Sequence, residues 1–437
     1  MSAGSGFEKF MNSSTPEGEK ISNGLYPARI EVRMKYIVLL GDGMADEPLE
    51  ELGGKTPLAQ AKTPRMDALA RAGQLGLAET IPKGFHPGSD VANLSVFGYD
   101  PGACYSGRSP LEAASMGVEL GVDDLAFRLN LVNLVPRFGK LYMADFSAGH
   151  ISTAEARELI QTLEAELGGD EFHFHPGVSY RHLLVWKNGG DRLRLTPPHD
   201  LTGQSIENYL PQGEGAEKLI YLMNSAQLLL NNHPVNIRRK TEGQPEANSI
   251  WLWGQGRAPR METLKEKFGI SGAVISAVDL IKGIGIYAGL DVIEVPGATG
   301  YIDTNYRGKA QAALEALKTR DFVYLHVEAP DEAAHAGNLD DKIRAIESFD
   351  EEVVGTVIDH LPDLGDFRVL VLPDHPTPVR KMTHSSGPVP FILFGSRGEF
   401  PPAEGNISGY DEASAASTGI LIHPGHLLMH NLIRSPA

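Results

Sequence analysis

Cysteine is nearly missing from this 437-residue chain, and Cys104 is the only one. A single thiol excludes an intrachain disulfide and any cage of thiolate metal ligands, and it fits a reducing compartment. Cationic side chains are also short: 39 Lys and Arg stand against 56 Asp and Glu, for a net charge of −17. Phosphate backbones are held by Lys and Arg, so this balance argues against nucleic acid as a partner. A small anionic substrate stays open, because metal ions and a few arginines make a site locally positive. No apolar run reaches the roughly 18 residues that a membrane span requires. The start of the chain is Gly- and Ser-rich without an apolar h-region, so residues 1–33 are expected to be a disordered extension ahead of the folded unit. No repeat of fixed period is present. Against these absences stand a hydrophobic content of 42%, enough for a sizeable core, and a length that accommodates two domains.

The apolar runs follow an α/β rhythm at both ends of the chain. Tyr36-Ile37-Val38-Leu39-Leu40 reads as a strand and Lys62–Ala72 as a helix, with Pro64 in its first turn and Gly73 past its end. Pro87-Gly88-Ser89-Asp90 then leads into a helical Val91–Phe97, with Ser89 or Asp90 predicted as its N-cap. From about 118 to 245 the pattern changes. Strand-like Phe127–Val135, His182–Trp186 and Arg192–Leu195 are interspersed with helical Thr153–Leu167 and Glu217–Leu230. From Asn248 onward the rhythm returns with Gly272–Ile281, a helix around Ala310–Leu317, a strand 322–327, a helix Lys342–Asp359 and a strand 368–372. The expected architecture is an α/β core from 34–116 and 246–437, its sheet covered by helices on both faces. Residues 117–245 form an inserted α+β domain that closes over a substrate.

The chemistry-bearing residues gather where apolar runs end. The first run ends in Gly41-Asp42-Gly43. The second, Phe322–Val327, is followed by Asp331 and His335, and the third, Val369–Leu372, by Asp374-His375, with His384 shortly after. Each has an ordinary reading on its own. An Asp-Gly step is commonly a turn, an i,i+4 Asp–His pair commonly an exposed helical turn, and a loop His commonly a solvated one. Taken together with Ser89 they supply two ligand sets of carboxylate, imidazole and hydroxyl. Such a mixture without thiolate suits Mn²⁺ or Zn²⁺, with Mg²⁺ where oxygens dominate. Two such ions about 3.5–4 Å apart clamp the attacking and leaving oxygens of an in-line phosphoryl displacement, and a nearby Ser is then activated as nucleophile.

The ordered set Gly41-Asp42-Gly43-Met44, Gly88-Ser89-Asp90-Val91, Asp331-Glu332-Ala333-Ala334-His335-Ala336-Gly337, Pro373-Asp374-His375 and Thr383-His384 resembles the alkaline phosphatase superfamily. More narrowly, with Gly107-Arg108-Ser109-Pro110-Leu111-Glu112-Ala113, it resembles the archaeal-type cofactor-independent phosphoglycerate mutases from about residue 34 onward. The resemblance implies one ion on Asp42, Ser89, Asp374 and His375, a second on Asp331, His335 and His384, and transient phosphorylation of Ser89. It implies a 2,3-bisphosphoglycerate-independent exchange of 3- and 2-phosphoglycerate in a closed site, because water would otherwise hydrolyse phospho-Ser89. A phosphate and a carboxylate call for cationic partners, and Arg108, Arg128, Arg181, His182, Arg257 and Lys282 lie in segments resembling the family. The ordinary reading of each Arg is a surface charge. His173, His175, His199, His423 and His426 read as structural or exposed. One departure is Trp253, which stands where the family tends to carry an Arg before a Gly-rich step, and Arg257 falls later. That leaves a related phosphotransferase or hydrolase, such as a homoserine kinase-like enzyme, as the alternative. A cytoplasmic protein, free of membrane and nucleic acid and open to homo-oligomerisation, completes the expectation.

Overall fold

The structure is a computed structural model that describes residues 34–190 and 192–434. The expected N-terminal extension, 1–33, lies outside the described residues. The chain divides into two compact units, one from the residues up to Cys104 together with those from Met261, the other from Tyr105–Arg260. No described helix is long and apolar enough to cross a membrane.

The first unit begins with β1 (Lys35–Gly41), α1 (Pro64–Ala72), β2 (Gln74–Ala78) and α2 (Ser89–Val96). The cap of α2 differs from expectation. Gly88 takes the N-cap position in extended conformation and Ser89 is the first helical residue, so its hydroxyl is not spent on capping.

The second unit follows with α3 (Ser109–Ser115), β3 (Leu125–Arg137), β4 (Lys140–Asp145), α4 (Thr153–Leu167), β5 (Phe172–Val178), β6 (Arg181–Trp186) and α5 (Ala216–Asn231). A two-residue ribbon, β7 (Leu193–Arg194) with β8 (Gln212–Gly213), precedes α5, and β9 (Ser249–Gly256) ends the unit. Strands β4, β3, β6 and β5 form an antiparallel sheet, and β9 adds to β3. That pairing carries the unit to Arg260, beyond the residue 245 expected from sequence, because Leu129–Val132 of β3 lie opposite Ser249–Leu252. Helix α4 starts where the Ser152 hydroxyl accepts the Glu155 N–H, and it buries Ala156, Leu159, Ile160 and Leu163 at the i, i+3, i+4, i+7 spacing of an amphipathic helix.

The first unit resumes with β10 (Gly272–Ile275), α6 (Asp279–Tyr287), β11 (Asp291–Val292), α7 (Tyr306–Leu317), β12 (Phe322–Val327), α8 (Ala329–His335), α9 (Leu339–Ser348), β13 (Phe367–Leu372), β14 (Val389–Gly395) and β15 (Leu421–Ile422). The stretch 272–281 is therefore a short strand followed by a helix. The long helix expected from Lys342 starts earlier, at Leu339, and loosens into π turns over Phe349–Gly355.

Eight strands line up as β11-β10-β12-β1-β13-β14-β2-β15. The central β1 is parallel to both β12 and β13 and fully buried from Ile37 to Leu40, which is why these strands read as mainly apolar runs. Ile37, Leu39, Val323, Leu325, Val369 and Val371 pack with Ala310, Ala313 and Ile346 of the helices. On the opposite face Tyr324 stacks on Phe97 at 3.9 Å. Register decides where chemistry emerges. Gly41 sits opposite Val327 and Leu40 opposite Leu372, so the residues after all three strands leave the sheet at one edge.

Two buried polar groups give measurable consequences. Lys342 is fully buried, and its ammonium donates to the Ala45 carbonyl (3.3 Å), Asp46 Oδ2 (2.7 Å) and the Thr377 carbonyl (2.8 Å). It ties the loop after β1 to the loop after β13. Lys342→Met leaves Asp46 as a buried unpaired carboxylate and is expected to cost about 3–5 kcal/mol in denaturant unfolding.

His182 in β6 is buried; its Nδ1 accepts the Gly177 N–H at 2.9 Å and its Nε2 has no partner. Burial pushes its pKa down from 6.5 to about 3. Above pH 6.5 the ring is neutral folded or unfolded. Below it the unfolded chain takes up a proton that the folded chain refuses, so stability falls as pH drops from 6.5 toward 3, by at most about 1.4 kcal/mol per pH unit. Thermal melts at pH 7 and pH 5 are expected to differ less in His182→Asn, which retains an acceptor without the titration.

Candidate metal centre

Each functional side chain is placed by the edge just described. Asp42 follows β1 and Asp374-His375 follow β13. Helix α8 begins with Pro330 in its first turn, and one turn separates Asp331 from His335, so the two project from one face with Asp331 Oδ2 3.2 Å from His335 Nε2. His384 comes from the loop after β13; its Nε2 lies 3.6 Å from Asp331 Oδ1 and 2.9 Å from His335 Nε2. Ser89 Oγ lies 3.1 Å from His375 Nε2, an atom also 3.3 Å from Asp374 Oδ2 and 3.7 Å from Asp42 Oδ1. The rings of His375 and His384 are 4.1 Å apart. All seven residues singled out in the sequence thus converge.

Electrostatically the cluster is crowded with negative charge. Burial, then the charges of Asp374, Glu328 and Asp331, push the Asp42 carboxyl well above the usual range. Burial and the Asp331 charge raise Glu328 to about 8. Asp331 moves the other way: against the cost of burial, hydrogen bonds from His335 and His384 hold it well below its usual value. The same Asp331 bond raises His335 to about 9. Asp42 Oδ1 and Glu328 Oε2 are buried without a hydrogen-bond partner. Buried orphan carboxylate oxygens beside unsaturated imidazoles are what divalent cations satisfy, so the residues fit such ions. Among the described residues, Asp42, Asp374 and His375 offer ligand atoms within 4.8 Å of one another, as do Asp331, His375 and His384 and also Asp42, His326 and Glu328.

Several supporting residues went unremarked in the sequence. His326, inside the apolar run of β12, holds Asp42 Oδ2 at 2.9 Å and Ser276 Oγ at 3.1 Å. Asn93 donates to Asp374 Oδ2 (2.8 Å) and accepts from the Tyr324 hydroxyl (2.6 Å). Thr377 touches both His375 and Asp331. A polar residue within an apolar run was the available signal for His326 and Asn93.

The cationic candidates divide. In the second unit, Arg128 is buried on β3, with Nε 3.0 Å from Glu112 Oε2 and its guanidinium 4.2 Å from the Trp253 ring centre. Burial lowers its pKa to about 10. Trp253 is therefore a stacking platform for Arg128. Arg108 bonds the other oxygen of Glu112 at 2.9 Å, and Arg181 is exposed beside Tyr180. His182 lies in the strand interior. Arg257 donates to the carbonyls of Gly189 and Asp123, which anchors the guanidinium to backbone. In the first unit Lys282 lies within α6, not at an element end, and pairs with Glu294 at 2.7 Å.

Comparison with known proteins places this geometry. The family model for 2,3-bisphosphoglycerate-independent phosphoglycerate mutase matches residues 70–236. A Geobacter sulfurreducens protein named "Probable 2,3-bisphosphoglycerate-independent phosphoglycerate mutase" is 64% identical over 400 residues, covering 92% of this chain and 100% of its own. A Methanosarcina acetivorans 2,3-bisphosphoglycerate-independent phosphoglycerate mutase is 56% identical, with 87% and 95% covered. Among solved structures, the PH0037 protein from Pyrococcus horikoshii superposes with a TM-score of 0.78 at 31% identity, covering 92% of this chain and 97% of that one. The cofactor-independent phosphoglycerate mutase of Thermoplasma acidophilum gives 0.63 at 25% identity, with 92% and 100% covered. Identity of this extent, over nearly the whole length of its relatives, means that the chain belongs to the 2,3-bisphosphoglycerate-independent phosphoglycerate mutase family.

Proposed function

We propose that the chain interconverts 3-phosphoglycerate and 2-phosphoglycerate without 2,3-bisphosphoglycerate, through a phosphorylated Ser89. The observation that carries this is Ser89 Oγ at 3.1 Å from His375 Nε2, inside a cluster of three aspartates and three histidines. Asp42, Ser89, Asp374 and His375 would hold one divalent cation and Asp331, His335 and His384 the other, with Mn²⁺ the best match to the donor set. When bound, the pair supplies Lewis-acid stabilisation of charge on the phosphoryl group. The protein's own residues do the rest. Asn93 fixes Asp374, and its amide also donates to the Ser89 carbonyl at 2.9 Å, which holds the first turn of α2. Ser89 Oγ, freed from capping, forms the new P–O bond as the substrate's ester oxygen leaves. The proton that Ser89 gives up is matched by the one the departing hydroxyl takes. The second half reverses this with the neighbouring hydroxyl of glycerate. Water must be kept from phospho-Ser89, or the phosphoryl group is lost to hydrolysis instead of returning to glycerate. Arg128 and Arg181 stay guanidinium candidates for an anionic group of the substrate by their chemistry alone.

The test is coupled turnover of 3-phosphoglycerate with Mn²⁺ and no 2,3-bisphosphoglycerate. Activity is expected to vanish in chelator and return with Mn²⁺. Ser89→Ala is expected to lower kcat on the order of 10³-fold or more with an unchanged melting curve. Folded, metal-loaded protein that leaves 3-phosphoglycerate untouched rejects the mutase reading, and product from homoserine and ATP would move the assignment to the kinase-like alternative.

A further inference from the structure

Thr377 lies in the loop after β13, fully buried, and its backbone is pinned on both sides. Its N–H donates to the Ala45 carbonyl at 3.1 Å and its carbonyl accepts from Lys342 at 2.8 Å. The hydroxyl so placed touches two groups: Asp331 Oδ1 at 2.5 Å and His375 Nδ1 at 3.1 Å. These belong to different proposed ligand sets.

We propose that Thr377 is a positioning residue whose single hydroxyl couples the two ligand sets and fixes the tautomer of His375. The inference rests on the two-cation reading. The argument is donor accounting. A hydroxyl has one hydrogen. Ionised, as a cation ligand is, Asp331 only accepts, so that hydrogen goes to Asp331 Oδ1. The Thr377 oxygen then accepts, and His375 Nδ1 carries the proton. Its Nε2 retains the lone pair, and Nε2 is the atom that faces Ser89, Asp374 and Asp42. His335 follows the same logic by a simpler route. Its Nδ1 lies 3.0 Å from the Met382 carbonyl, which only accepts, so Nδ1 carries a proton and Nε2, turned toward Asp331, is the nitrogen left for a cation. A ligating imidazole whose other nitrogen is held by a fixed acceptor is oriented before a cation arrives. What sets Thr377 apart is that the acceptor is shared. The same hydroxyl that orients His375 also sets Asp331 Oδ1.

The space around it is kept by Gly43. This residue has φ +62°, and a Cβ there would lie 2.6 Å from Asp331 Oδ1 and 2.7 Å from Thr377 Oγ1. The residue after Asp42 is thus required to be small where the hydroxyl bridges.

The experiment titrates Mn²⁺ into the full chain, freed of metal, by calorimetry and by the electron paramagnetic resonance signal of free Mn²⁺. Wild type, Thr377→Val, which keeps shape and loses the hydroxyl, and Thr377→Ser are compared. Thr377→Val is expected to weaken both binding steps by about 10–100-fold. Thr377→Ser is expected to stay close to wild type in both. Wild-type affinities in Thr377→Val, loss of only one step, or a Ser variant as weak as the Val variant each overturn the proposal. A second readout needs no variant to fold: long-range ¹H–¹⁵N spectra of the metal-free wild type are expected to show His375 protonated at Nδ1. Protonation at Nε2 overturns the proposal. A wild type that binds no Mn²⁺ refutes the two-cation reading itself, while the tautomer still judges Thr377.

Discussion

Everything in the first unit answers to one constraint: Asp42, Glu328, Asp331 and Asp374 are packed together where water scarcely reaches. Like charges in a low-dielectric pocket repel strongly, and a fold keeps them only with compensation. Part of it comes from within. Two backbone N–H groups, of Gly43 and His375, point at Asp374 Oδ1. Imidazoles flank Asp331, and the buried Lys309 ammonium, bonded to the His326 carbonyl, stands near Glu328. The remainder, above all the unpartnered Asp42 oxygen, is what a divalent cation would supply.

The sheet makes this crowding possible. A strand paired in parallel with both neighbours, in matched register, brings three chain segments distant in sequence to one edge at the same height. The loops that leave that edge are then cross-braced. Lys342 joins the loop of Asp42 to that of Asp374, and Thr377 joins the latter to α8. Rigid placement of this kind is what pre-organised catalysis requires, because a displacement of about 1 Å is costly.

The site was unusually legible in the sequence for a physical reason. Ligands near strand ends follow largely apolar runs, so Asp42, Asp331 and Asp374 announce themselves by contrast with what precedes them. The braces do not. Lys342 sits in a helix whose sequence gives an ordinary polar residue, and only tertiary packing buries its ammonium. Thr377 lies between prolines in a loop where a Thr carries no periodic signal. The N-terminus of α2 was misjudged because a Ser after Gly is a good cap by propensity. Here Gly88 caps, which leaves Ser89 free to face His375. The extent of the second unit was missed because strand β9 declares its partner only through a pairing more than a hundred residues away. Arg257 was a reasonable anion contact by charge alone, but backbone carbonyls engage it.

The most direct measurement is a Mn²⁺-soaked crystal with data collected at the manganese absorption edge. The account predicts two anomalous peaks, one bounded by Asp42, Ser89, Asp374 and His375 and one by Asp331, His335 and His384. A single peak, or peaks away from these side chains, would contradict it.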